Sequence, residues 1–232
     1  SVFAADRCGR IVVVQPQAEL FRRIREKPMR LKDLLEYDKI VIQCHDNPDA
    51  DSIASGYGVY TYLRNCGKEV RLVYGGRNII RKSNLVTMVR ELKIPIEHVR
   101  HVEKEVPAEL LITVDCQYGE GNVSLYPAKT VAVIDHHRVV REVPKLSRID
   151  ATLGSCSTLV WEMLREEGVD ANRNKDLITA LYYGLYADTV NFSGVYQEKD
   201  VQLKETAAFD SALITKLKNA NISIEDLETA GA

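Results

Sequence analysis

Between Cys44 and Ser55 the chain reads CHDNPDADSIAS, placing His45, Asp49 and Asp51 on one short polar stretch. Further along stands Ile134-Asp135-His136-His137-Arg138, and two more aspartates, Asp115 and Asp188, close apolar runs. This mixture of imidazole and carboxylate donors suits Mn²⁺ or a similar transition ion better than Ca²⁺, which takes oxygen ligands. Packed carboxylates repel one another unless cations neutralise them, so their convergence would itself argue for metal. The chemistry open to paired divalent ions is activation of a shared water and stabilisation of charge on a phosphoryl group. Each piece alone has a plainer explanation. Asn47-Pro48-Asp49 would serve an ordinary turn, and adjacent histidines can be a solvated pair.

The elements that must position these residues alternate between strand and helix, which predicts an α/β fold: a mainly parallel sheet with helices on both faces. The apolar stretch Lys39 to Cys44 reads as a buried strand, followed by a helix from about Ser52 to Asn65 that ends at Gly67. Further strands are expected at Ile11 to Val14, Val70 to Tyr74, Leu110 to Asp115 and Thr130 to Asp135. Helices are expected at Ala18 to Lys27, Leu31 to Leu35, Asn84 to Leu92, Ser155 to Glu167 and Lys175 to Tyr186. Beyond Asp200 the pattern is helical through Leu217, and Ser223 is placed to cap Ile224 to Thr229. In open α/β sheets ligands bind where strands end, which is where His45, Asp115 and Asp135 fall. Ser155 and Ser157 precede a helix whose free N–H groups could cap or take a phosphate. Gly75-Gly76-Arg77 reads as a tight turn, and His98 and His101 as surface residues.

Composition sets the outer limits. Apolar residues make up 45% and charged residues 28%, ordinary for a globular enzyme, and a net charge of −2 argues against a broad basic nucleic-acid footprint. No uncharged apolar run approaches a membrane span, and residues 1–14 carry Asp6, Arg7 and Arg10 and so form no signal-peptide core. Five cysteines at 8, 44, 66, 116 and 156 include no C-x-x-C pair, consistent with a reducing cytoplasm. Cys44 and Cys116 read as small buried hydrophobes beside the donors.

Taken together, His45-x-Asn47-Pro-Asp49-x-Asp51-Ser52, Val114-Asp115, Asp135-His136-His137-Arg138 and Asp188-Thr189 resemble the DHH phosphoesterase superfamily. The matching stretches run in order from Ile40 to Ser193. The resemblance implies a metal-dependent phosphodiesterase using two divalent ions, Mn²⁺ first and Mg²⁺ or Co²⁺ as substitutes. It implies that His45 and Asp49 hold one ion, that Asp51 and His136 hold the other, and that Asp115 bridges them. Asp188 would complete the second ion's shell or bridge as well. Asp135 would orient His136, while His137 and Arg138 act on the reacting phosphate. Asn47, Ser155 and Ser157 are the expected substrate contacts. The expected substrates are short oligonucleotides, dinucleotides or other small phosphates, with pyrophosphate or polyphosphate hydrolysis and a non-catalytic nucleotide sensor as alternatives. A homodimer stays open. Residues 1–37 read as an N-terminal extension, 38–193 as the catalytic domain, and 194–232 as a helical lead-in to a substrate-binding domain. The superfamily's glycine-rich GG-x-H stretch is not found after Ser193, so this chain reads as a piece ending before that domain, or one that builds its cleft otherwise.

Overall fold

The computed structural model describes residues 2–5, 11–14, 28–139, 142–195 and 197–220. Strands β1 (Val2–Ala5) and β2 (Ile11–Val14) pair antiparallel as a separate two-stranded sheet. The main sheet contains β3 (Lys39–Cys44), β4 (Glu69–Tyr74), β5 (Ile96–His98), β6 (Ala108–Val114), β7 (Ala128–Asp135) and β8 (Leu146–Ile149). Its order is β5-β4-β3-β6-β7-β8 and every pairing is parallel. The expected α/β architecture is therefore present. Strands β5 and β8 were not foreseen, because Ile96–His98 is very short and Leu146–Ile149 is half-buried throughout at the sheet edge. The expected helices over 18–27 and 224–229 lie outside the described residues.

The central strands read as near-continuous apolar runs because both faces are covered. On one face Ile40, Ile42, Leu72, Leu110, Ile112 and Ile134 pack against α1 (Ala50–Asn65), α2 (Ser83–Glu91), α3 (Cys156–Glu166) and α4 (Lys175–Asp188). On the other, Val41, Val73 and Leu111 meet Val102, on a 3-10 turn, and Tyr126 on a connecting segment. The layers are unequal, with the α-helices gathered on the first face. Two further helices, α5 (Glu198–Thr206) and α6 (Ser211–Asn219), bury Leu203, Ile214 and Leu217 in the same core. The segment after Ser193 is thus packed onto the α/β unit. The helix expected at Leu31 to Leu35 is a 3-10 helix over Leu31–Glu36.

Two features of this packing position the polar end of the sheet. The first is register. Gln43 pairs with Thr113, and Thr113 with Val133, so continuing two residues along each strand brings His45, Asp115 and Asp135 into one row. The second is a close helix junction. A Cβ at Gly184 of α4 would lie 2.1 Å from Ser157 Oγ, 3.1 Å from Ala54 Cβ and 3.1 Å from Asp51 Oδ1. Only a residue without a side chain lets α4 approach the N-terminal ends of α1 and α3 this closely.

Gly184→Ala is accordingly expected to lower stability by about 1–2 kcal/mol, as overpacking outweighs the better helix propensity of alanine. Urea unfolding checks this, and a neutral or stabilising result would show that the junction can spread at no cost.

Candidate metal centre

Each donor reaches the carboxyl edge of the sheet for a local reason. His45 follows β3 directly. Asp49 caps α1, its Oδ1 accepting from the N–H groups of Asp51 and Ser52 at 3.0 Å each. That leaves Oδ2, which lies 3.9 Å from His45 Nε2. Asp51, in the first turn of α1, is 1% exposed and accepts from the N–H of Cys156 at 2.7 Å and of Ser157 at 2.8 Å. The N-terminus of α3 therefore grips this carboxylate, with the helix dipole in the favourable sense. Asp115 stands just beyond β6 with φ +59, a left-handed conformation that aspartate tolerates better than most residues. Its N–H donates to Ile134 O at 2.9 Å. His136 follows β7, and Asp188 is the last residue of α4.

The side chains converge as two groups joined at Asp115. Asp115 Oδ2 lies 3.8 Å from His45 Nε2, and Asp115 Oδ1 lies 3.4 Å from His136 Nε2. His136 Nε2 is also 3.4 Å from Asp188 Oδ2 and 3.8 Å from Asp51 Oδ2. His45 with Asp49 and Asp115, and Asp51 with His136 and Asp188, each bring three ligand atoms close enough to surround an ion. His136 Nε2 and Asp115 Oδ1 are buried without a hydrogen-bond partner, a costly arrangement unless something else engages them. Burial pushes Asp51 up, with Asp115 adding to the effect, and raises Asp115 to about 6. Burial alone would lower His136, yet Asp115, Asp51 and Asp188 outweigh it and hold the ring near 10. A proton held on His136 offsets part of the carboxylate charge. The residues fit divalent metal, whose charge would replace that proton and ionise the carboxylates.

The expectation that Asp135 orients His136 is corrected. His136 Nδ1 donates to Leu153 O at 3.2 Å, and its ring is held by that backbone carbonyl. Asp135 Oδ1 instead accepts from His137 Nδ1 at 2.8 Å and from the His136 backbone N–H at 2.9 Å. The hydrogen bond to Asp135 raises the His137 pKa, against some desolvation. Asp135 is itself lowered, because His137 and Gln117 outweigh its burial. His137 is half-exposed, and its Nε2 is the free ring nitrogen at the mouth of the site. Arg138 is exposed beside it, and its carbonyl accepts from Gln117 Nε2 at 3.2 Å.

Ser155 and Ser157 are corrected as well. Both are fully buried, so neither can touch a substrate at the surface. Ser155 Oγ accepts from Thr158 N–H as the cap of α3, and the N–H groups expected to bind phosphate go to Asp51. Asn47 is exposed next to the donors. Burial pushes the thiols of Cys44, Cys116 and Cys156 up, Cys44 to about 12, in keeping with their place among the buried apolar residues.

Two positioning residues escaped sequence reasoning. Gln117 Nε2 donates to Asp135 Oδ2 at 2.9 Å, fixing the carboxylate behind His137. Asp200, fully buried on α5, accepts from Gly154 N–H at 2.8 Å. Gly154 lies between Leu153, which holds His136, and Cys156-Ser157, which hold Asp51. A charged residue three positions into a polar helix gave no sequence signal of that reach.

This fold and donor set define an α/β protein with a candidate histidine–aspartate metal centre at the carboxyl edge of a parallel sheet. The DHH family, N-terminal domain, matches residues 39–185, and the chain belongs to that family. Over 211 residues it is 26% identical to an uncharacterized protein of Methanocaldococcus jannaschii, covering 88% of this chain and 42% of that one. It is 30% identical over 156 residues to a probable manganese-dependent inorganic pyrophosphatase of Streptococcus thermophilus, covering 66% of this chain and 48% of the relative. The chain thus spans about half the length of these curated relatives. A crystal structure of an exopolyphosphatase-related protein from Bacteroides fragilis shares the fold with a TM-score of 0.66 at 18% identity. That match covers 95% of this chain and 65% of the other. Among the described residues no helix is long and apolar enough to cross a membrane.

Asp200→Ala is expected to weaken manganese affinity about tenfold or more, as for other groups that orient ligands from behind. Asp200→Asn keeps an acceptor for Gly154 and should recover most of it. Calorimetric titration with Mn²⁺ reads both, and equal losses in the two variants would contradict a role through the Gly154 hydrogen bond.

Proposed function

We propose that this chain is the catalytic unit of a divalent-metal-dependent phosphodiesterase acting on short oligonucleotides or dinucleotides. The observation that carries the reading is Asp115, whose two oxygens face different histidines, with a further acidic ligand set on each side. His45, Asp49 and Asp115 would hold one ion, and Asp51, His136, Asp188 and Asp115 a second, with Mn²⁺ preferred. When bound, such ions supply a water ionised near neutral pH and neutralise charge on the phosphoryl group. His137, held by Asp135, which Gln117 fixes in turn, presents Nε2 at the mouth of the site, where its charged form could donate to a phosphoryl oxygen. The hydrogen bond to Asp135 shifts its pKa upward, which favours the charged form of that donor. Arg138 adds a second cationic donor at the rim, and Asn47 an amide. The stretch Asp188-Thr-Val-Asn-Phe-Ser193 resembles the phosphodiesterase branches of the superfamily, which supports a diester substrate. The manganese-dependent pyrophosphatases among the relatives favour a second reading, hydrolysis of pyrophosphate.

A hydrolysis panel with Mn²⁺ separates the two, comparing pyrophosphate, a cyclic dinucleotide and short RNA and DNA. Turnover of pyrophosphate alone would replace the first reading by the second. His137→Ala should retain metal yet lose about 10²–10³ in turnover, the usual effect of removing one donor aimed at transition-state charge. Asp51→Asn should lose an ion and activity together. Metal loss in His137→Ala would show that the roles of the two histidines are reversed.

A further inference from the structure

The loop from Gly75 to Lys82 runs beside the metal centre without supplying a ligand to it. Its path is fixed at several points. A Cβ at Gly75 would lie 2.9 Å from Asp46 Oδ1, and one at Gly76 2.7 Å from Asp46 Cβ. Asp46 stands next to His45 and accepts from Ser124 N–H at 2.9 Å and Ser124 Oγ at 2.7 Å. His98, half-buried rather than on the surface, donates from Nε2 to Gly76 O at 3.0 Å and packs on Tyr74 with ring centroids 4.9 Å apart. The Tyr74 hydroxyl accepts from Ile80 N–H at 3.0 Å. The loop is thus tied to the segment that carries His45.

Three cations stand on this fixed loop: Arg77, Arg81 and Lys82, all exposed. Some cations elsewhere find carboxylates, as Lys68 does at Asp38, Arg71 at Glu97 and Glu105, and Lys216 at Glu91. Among the described residues Arg77, Arg81 and Lys82 form no ion pair. Arg81 and Lys82 line a cavity of about 110 Å³ together with Asn47, Pro48 and Asn78. Asn47 and Pro48 lie between the candidate ligands His45 and Asp49, so the cavity shares a wall with the segment that carries both. Its size suits a phosphate group rather than a nucleoside. Ile79, 51% exposed on the same loop, offers an apolar contact that an inorganic phosphate chain cannot use but a base can.

We infer that this loop is a subsite for a phosphate adjacent to the one being hydrolysed, and that its ligand is a short single-stranded oligonucleotide. The inference rests on the proposed phosphodiesterase reading for the position of the reacting phosphate. The loop's charge is what an anionic substrate would need near a centre dense in carboxylates. Guanidinium groups give forked hydrogen bonds to phosphate, and Lys82 a point charge. The asparagine amides can satisfy remaining phosphate oxygens.

The test uses the 232-residue chain and its Arg81→Gln/Lys82→Gln double variant, whose exposed positions leave the core untouched. In chelator, fluorescence anisotropy reads binding of a labelled single-stranded DNA of about five nucleotides, within the usual reach of such sites. The variant should bind about tenfold more weakly, and its salt dependence should flatten by about 0.7 in log–log slope, the share of the one phosphate the subsite holds. With Mn²⁺, the ratio of kcat/KM for the oligonucleotide to that for bis(p-nitrophenyl) phosphate should fall about tenfold. Unchanged binding and slope, or no binding by the unsubstituted chain, overturns the subsite. Equal losses on both esters overturn it too, since the loop would then act on the fold or the chemistry. If tripolyphosphate binding falls while oligonucleotide binding does not, the ligand assignment is wrong and an inorganic chain replaces it. Should neither ester be hydrolysed, the phosphodiesterase reading fails by itself, and the binding arm still decides the loop.

Discussion

Four carboxylates, those of Asp49, Asp51, Asp115 and Asp188, are forced into one partly buried volume, and much of the surrounding structure answers that repulsion. Each is restrained differently. Asp49 uses one oxygen on the N-terminus of α1 and keeps the other for the site. Asp51 is pinned by consecutive N–H groups of α3. Asp115 is set by a left-handed backbone that costs on the order of 1 kcal/mol. Asp188 depends on α4 coming close enough, which Gly184 permits. None of these restraints removes negative charge. They fix its geometry, so that the remaining means of neutralisation are a proton shared with His136 or divalent cations. A site pre-built this way has already met the cost of bringing like charges together during folding, and part of the metal's binding energy offsets it.

The two adjacent histidines show how one strand end can serve two roles. Consecutive side chains diverge, and here each ring is assigned by what its Nδ1 meets. A backbone carbonyl holds His136 and leaves Nε2 among three carboxylates. A carboxylate holds His137, favouring its charged form at the surface. A neutral partner suits a ring that must lose its proton to bind metal, and an anionic partner suits one that must keep it. The same logic explains why Asp135 lies behind His137. Placed behind His136, it would have added a further negative charge to a centre already crowded with them.

The convergence of the candidate donors was legible in the sequence because strand ends are. Lys39–Cys44, Ala108–Val114 and Ala128–Asp135 are apolar runs that stop at polar residues, and parallel register alone then aligns His45, Asp115 and Asp135. What could not be read was the direction of hydrogen bonds made by neighbouring residues. Ser155 and Ser157 had the right types for phosphate binding, but α3 spends its N–H groups on Asp51, a partner 105 residues away for Cys156. Asp200 and Gln117 act through contacts across the fold, and neither sits in a pattern that one-dimensional spacing reveals. His98 looked like a surface residue in a charged stretch, because the packing of its ring on Tyr74 is set by the pairing of β4 with β5.

The chain carries a net charge of −2, and its chemistry is surrounded by aspartates, so long-range attraction for a polyanion is weak. Bound metal would neutralise the centre itself, but over distances beyond a Debye length it would do little for the rest of an anionic substrate. Any phosphate beyond the reacting one must therefore find its counter-charge locally, from side chains fixed close to the rim. Arg138 on the loop after β7 and Arg77, Arg81 and Lys82 on the loop after β4 are the exposed cations that the sheet order sets on either side of the β3 and β6 ends. Because β3 and β6 lie between β4 and β7, a chain of phosphates crossing the metal centre would run from one cationic loop to the other across the sheet's carboxyl edge. Parallel pairing thus fixes both the acidic centre and the opposite charges that flank it.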